Sequence, residues 1–114
     1  MSGRRAERVS RQVAQALATI VETGVHDPRL AGVTFTAAKA TDDLRTVRVY
    51  FSVLGDAGSA DAAAEGLQKA SGYLRRELAQ RMSLRYVPSL VFEYDESILT
   101  AERIEKLLRE GKQS

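Results

Sequence analysis

The sequence predicts a two-layer α+β domain in which a three-stranded sheet carries helices on one face, spanning residues 1–114 as a single unit. Three observations predict it. Apolar residues recur at helical spacing near both ends and through a long central stretch. Three short runs alternate apolar and polar residues with a period of two. Gly, Pro and Asp punctuate the junctions. The expected order is α–β–β–α–(kink)–α–β–α.

Residues 5–23 read as an amphipathic helix. Val9, Val13, Leu17, Ile20 and Val21 form its apolar stripe, and Gly24 is placed to end it. "VHDPRLAG" is a turn in which Asp27 is positioned to accept backbone hydrogen bonds, and His26, the only histidine, is read as a turn residue. "VTFTAAKAT" alternates Val33, Phe35 and Ala37 against Thr34, Thr36 and Ala38. "RTVRVYFSV" alternates Val47, Val49, Phe51 and Val53 against Arg48, Tyr50 and Ser52. With Asp42-Asp43-Leu44 as the link, these two strands make an antiparallel hairpin. After a Gly/Asp/Ser loop, Ser59 or Asp61 is the expected N-cap of a helix from about 60 to 82, interrupted near Gly72. Pro88 closes the next linker. "LVFEYD" is the third strand, and its arrival after a helical crossover lets it join the sheet beside an earlier strand. "TAERIEKLLREGK" is a short helix with Thr100 as cap and Ile104, Leu107 and Leu108 turned inward.

Composition excludes several functions. There is no cysteine, hence no disulfide or thiolate metal site. No apolar run approaches the roughly 20 residues of a membrane span, and the basic N-terminus lacks the apolar core of a secretory signal. A soluble cytoplasmic protein is expected. One histidine, no P-loop and no dinucleotide fingerprint leave no enzyme signature. Asp42-Asp43 and Asp95-Glu96 are read as solvated or capping residues, so no metal and no cofactor is expected.

The net charge of +2 conceals an uneven distribution. Arg4, Arg5, Arg8 and Arg11 against Glu7 give residues 1–11 a charge of +3. Lys69, Arg75, Arg76, Arg81 and Arg85 against Glu77 give residues 69–85 a charge of +4, and the rest of the chain is acidic. Charge runs of this kind fit solvated helix faces or a localised anionic partner. The arginines at the start of the first helix oppose its macrodipole, a conflict that a bound phosphate would relieve. In "LQKASGYLRRELAQRM", Leu67, Leu74, Leu78 and Met82 define a buried face, and Lys69, Gly72, Arg76 and Gln80 fall on the far side. Glycine in a helix costs about 1 kcal/mol relative to alanine. Gly72 is then a tolerated glycine, or it serves a kink at Ala70-Ser71-Gly72 and close approach of a phosphodiester backbone. If a second helix starts near Ser71, its free N–H groups would face an anion.

The ordered set "ERV" at 7–9, "DPRL" at 27–30, "DDLRTVRVYFSV" at 42–53, "ASGYLRRELAQRMSLRYVPSLVF" at 70–92 and "RIEKLL" at 103–108 resembles the ribosome-binding factor A family over nearly the whole chain. The resemblance implies a type II KH-like fold, with Ala70-Ser71-Gly72 as an alanine-x-glycine kink in place of the GxxG loop of ordinary KH domains. It implies a non-enzymatic assembly factor that binds the small (30S) ribosomal subunit and its 16S rRNA during late maturation. It further implies a role in growth in the cold and release by an assembly GTPase. A monomer is expected, since no heptad seam is present. Arg4, Arg5, Arg8 and Arg11 form one expected RNA-contacting surface. Lys69, Ser71, Gly72, Arg75, Arg76, Arg81 and Arg85 form the other, unless one of Arg75 and Arg81, nearer the apolar edge, serves instead as a structural ion-pair residue. The alternative is a KH-like DNA-binding or protein-interaction module without ribosome association. With no aromatic stacking platform of the RRM kind, contact is expected mainly with backbone and shape.

Overall fold

The computed structural model describes residues 3–54 and 57–112. The elements follow the order α1 (Gly3–Gly24), a short 3-10 turn (Pro28–Leu30), β1 (Val33–Ala40), β2 (Thr46–Val53), α2 (Ala57–Met82), β3 (Ser89–Tyr94) and α3 (Ser97–Lys112). The sheet order is β1-β2-β3, with β1 antiparallel and β3 parallel to β2. The crossover through α2 makes the parallel pairing possible. Helices α1 and α2 cover one face, α1 packing on β1 and α2 on β3. Together with the mixed sheet they form the two-layer α+β arrangement of a KH-like domain. The core lies between the layers: Val13, Leu17 and Ile20 from α1, Val47, Val49 and Phe51 from β2, and Leu67, Leu74 and Leu78 from α2 are each almost wholly buried.

Local chemistry accounts for the junctions. Asp27 caps the 3-10 turn by accepting the Arg29 N–H at 3.0 Å, and its carboxylate also receives the Arg29 guanidinium at 2.7 Å. In the β1–β2 turn, Asp43 accepts from the Thr41 hydroxyl at 2.7 Å and the Arg45 N–H at 3.0 Å. Leu44 takes the left-handed conformation there, at φ 60°. Gly24 ends α1 without adopting a left-handed conformation. A Cβ there would collide with the Tyr73 hydroxyl of α2, so the glycine makes room for the neighbouring helix.

Five expectations are corrected. First, α2 is one unbroken helix, with no interruption at Ala70-Ser71-Gly72. Its leucine stripe explains why. Each buried leucine contributes about 2 kcal/mol, more than the cost of one glycine, and a break would take Leu74 and Leu78 out of register with Leu67. The N–H groups near Ser71 are therefore bonded within the helix rather than free. Second, α2 begins at Ala57, so Ser59 and Asp61 lie inside the helix and its N-cap lies outside the described residues. Third, β1 carries a bulge. Phe35 pairs with Phe51 and Ala37 with Tyr50, leaving Thr36 as the extra residue. The bulge reverses the alternation, so Ala38 and Ala40 face the helices and Ala37 is exposed. Fourth, α3 starts at Ser97 rather than after Thr100. Asp95 Oδ1 accepts the Ser97 N–H at 2.9 Å and acts as the cap. Fifth, Ile104, Leu107 and Leu108 are not inward. They are 53%, 66% and 63% exposed and take no part in the core built by α1, α2 and the sheet.

Candidate nucleic-acid interface

Ser10, in the first half of α1, and Arg75, in the second half of α2, reach the same end of the sheet, while Tyr73 of α2 meets Gly24 at the far end of α1. A chain of contacts establishes this. Ser10 on α1 accepts the Ala40 N–H at 2.8 Å. Ala40 pairs with Val47, Val47 pairs with Leu90, and Pro88 just before β3 accepts from Arg75 Nε at 3.0 Å. Since α1 lies over β1 and α2 over β3, two strand spacings of about 4.8 Å separate them laterally.

Both basic stripes point away from the sheet. The α1 residues Ala6, Val9, Ser10 and Val13 are buried, and Arg4, Arg5, Arg8 and Arg11 are exposed. None of these four arginines forms an ion pair among the described residues. On α2 the leucine stripe faces inward, and Lys69, Gly72, Arg76 and Gln80 lie exposed on the opposite side. Arg76 likewise has no ion pair among the described residues. Lys69 Nζ stands 3.5 Å from Glu65 and Arg81 Nε 3.9 Å from Glu77, both loose helical pairs on exposed side chains. Such pairs contribute little and yield readily to a better anion.

The glycines of α2 differ in kind. At Gly66 a Cβ would lie 3.1 Å from Leu30 Cδ2 and 3.2 Å from Asp27 Oδ2, so internal packing against the 3-10 turn accounts for it. At Gly72 nothing lies within 4 Å of the position a Cβ would occupy. No packing among the described residues demands that glycine, which lies exposed on the same side of α2 as Lys69 and Arg76. Ser71 beside it is half-buried.

Arg75 departs from the expected contact set. Its Nε donates to Pro88 O at 3.0 Å and its Nη2 to Val87 O at 3.3 Å, tying the α2–β3 linker to the helix. It is the structural arginine of the pair singled out from the sequence, though it binds backbone carbonyls rather than an acid. Arg85 lies in that linker, with its guanidinium carbon 5.6 Å from the centroid of the Tyr86 ring. Tyr86, which sequence reasoning passed over, is 73% exposed. The sequence signal was its position in "RYVP", beside a basic residue and away from every periodic stripe.

Among the described residues no group of His, Cys, Asp or Glu is arranged to hold a metal ion, and no helix is long and apolar enough to cross a membrane. Asp43 and Asp95, one from each acidic pair, serve local structure. Hydrogen bonds from the Thr41 hydroxyl and the Arg45 N–H hold Asp43 below the usual carboxylate range. Those from the Ser97 hydroxyl, the Thr36 hydroxyl and the Ser97 N–H do the same for Asp95.

Comparison with known proteins agrees with this architecture. Ribosome-binding factor A of Staphylococcus carnosus is 43% identical over 110 residues, covering 96% of this chain and 96% of the relative. That of Syntrophus aciditrophicus is 42% identical over 107 residues, covering 94% and 87%. The crystal structure of ribosome-binding factor A from Thermus thermophilus superposes with a TM-score of 0.70 at 27% identity, over 78% of this chain and 94% of that one. The solution structure of a Thermotoga maritima protein described as a putative ribosome binding factor A gives 0.73 at 27% identity, over 82% and 89%. A Thermus thermophilus ribosome binding factor A homology model fitted into the map of a 30S complex gives 0.66, also at 27% identity, over 80% and 96%. Residues 5–108 match the Ribosome-binding factor A family as a whole, and the chain belongs to that family.

Proposed function

We propose that this protein is a non-enzymatic, RNA-binding assembly factor of the small ribosomal subunit, acting on 16S rRNA during late 30S maturation. The observation that carries the reading is the helix-layer surface. Arg4, Arg5, Arg8 and Arg11 on α1, and Lys69 and Arg76 on α2, lie exposed on the outer side of the helix layer, with Arg81 exposed near the end of α2; Lys69 stands toward the 3-10 turn that follows α1, through its pair with Glu65 beside Arg29. Gly72 lies exposed among the α2 cations. Phosphates against this surface would satisfy the α1 arginines and Arg76, which have no ion pair among the described residues, and relieve the arginine–dipole conflict at the start of α1. The surface offers charge and shape without base-reading geometry, so specificity comes from the ribosomal context. Membership of the family and the 30S complex of the Thermus thermophilus relative support the same partner. Action as a single-domain cytoplasmic monomer, a role in growth in the cold and release by an assembly GTPase complete the reading.

Co-sedimentation tests it. The protein should travel with 30S particles in a low-salt gradient and leave them as salt rises, with the logarithm of affinity falling linearly with the logarithm of salt. Charge reversal at Arg8 and Arg11, or at Arg76, should abolish co-sedimentation without unfolding the chain. Protein that stays at the top of the gradient at every salt concentration would favour the protein-interaction alternative. RNA turnover by the purified protein with magnesium would overturn the non-enzymatic assignment.

A further inference from the structure

We infer that Tyr86, flanked by Arg85, is a stacking site for one unpaired RNA base at the edge of the α2–β3 linker. The inference rests on the RNA-binding reading and adds a ligand chemistry to it. Of the seven aromatic residues in the chain, six are buried or half-buried, and Tyr86 alone presents its ring to solvent. A phenol ring left in water forgoes the burial that usually places tyrosine, so its exposure on a fixed segment calls for a partner.

The segment is fixed by several contacts. Ser83 leaves α2 in the left-handed conformation, at φ 49°. Arg75 grips the carbonyls of Val87 and Pro88, Pro88 is buried, and the Ser89 N–H donates to Arg45 O at 2.8 Å as β3 begins. Tyr86 therefore stands on a short span pinned on its C-terminal side, and little conformational entropy is lost when a ligand meets it.

The Arg85 guanidinium stands over the Tyr86 ring. It covers one face at most, and the high exposure of the side chain leaves the other open. An aromatic plane with an adjacent cation suits a single-stranded nucleotide: the base stacks on the ring and the phosphate meets the arginine. A duplex offers no such base, because its bases are already stacked. The neighbouring exposed residues are cationic or small and polar (Arg81, Ser83, Arg85, Ser89), and Leu84 and Val87 are half-buried. That setting lacks the apolar surround of a protein hot spot.

The test uses the full chain and three variants, Tyr86→Phe, Tyr86→Leu and Tyr86→Ala. Each is titrated against a labelled unpaired RNA oligonucleotide, against the same sequence annealed as a duplex, and against purified 30S subunits. Thermal melts should match the parent, since the side chain packs on little. Phe should bind unpaired RNA within about twofold of the parent. Leu and Ala should weaken it about five- to a hundredfold, with duplex binding unchanged. Full affinity in the Leu variant would mark an apolar protein contact and overturn the inference. So would an Ala variant unchanged on both unpaired RNA and 30S, or a parent with no preference for unpaired over duplex RNA. A parent that binds neither RNA nor 30S at low salt would instead remove the RNA-binding reading itself.

Discussion

Gly72 and Arg76 sit one helical turn apart on the exposed side of α2. With open space where a Cβ would go, Gly72→Ala should stabilise the fold by about 0.5–1 kcal/mol through helix propensity. It should nonetheless weaken 30S association; denaturant melts and gradients on one preparation check both. Arg75 and Arg76 give a second contrast. Arg75→Ala removes two hydrogen bonds to linker carbonyls and should cost about 1–3 kcal/mol of stability. Arg76→Ala should change stability by less than about 0.5 kcal/mol and lower ribosome affinity. The wheel argument from sequence distinguished inward from outward positions on α2, so the exposure of Lys69, Gly72 and Arg76 was legible. It could not reveal that Arg75 would reach the linker. That contact depends on where β3 docks, which no local pattern encodes.

Elements were legible where periodicity is strong and blurred where one residue changes the phase. Helix α1 runs Gly3–Gly24 against an expected 5–23, because its stripe is continuous. The bulge at Thr36 was hidden, since "FTAAKA" satisfies either alternation when alanine fits both faces. The thirteen-residue α3 pattern implied an inward face, but amphipathicity names a face without naming what covers it. Three predictions belong at this level. Ser10 joins α1 to β1 by accepting the buried Ala40 N–H while donating to Ala6 O at 2.6 Å. Ser10→Ala strands that N–H, and a loss of about 1–3 kcal/mol in denaturant unfolding is expected. Leu107→Ser with Leu108→Ser should leave global unfolding within about 0.5 kcal/mol of the parent. Leu74→Ala, in the core, should cost about 2–5 kcal/mol.

At the scale of the whole molecule, stability and the proposed RNA contact reside in different places: the core lies between helices and sheet, and the cations lie on the outer helix surface. Three carboxylates with lowered pKa, Asp27, Asp43 and Asp95, hold turns and caps, the first chiefly through its bond from the Arg29 side chain. A carboxylate whose folded pKa is depressed adds stability above its unfolded value, near 4, and that stability is lost as pH falls through the folded value. The melting temperature should therefore decline as pH falls below about 4, and Asp95→Asn should flatten part of that decline. The unbroken course of α2 has one more consequence, for the sequence changes the protein tolerates. Each residue turns a helix by about 100°. Deleting one position between Leu67 and Leu78 would rotate everything downstream, bringing guanidinium groups toward the leucine layer and aliphatic side chains into water. Drift in this segment should thus proceed by point exchange at constant length, and insertions should accumulate in the stretch joining β2 to α2.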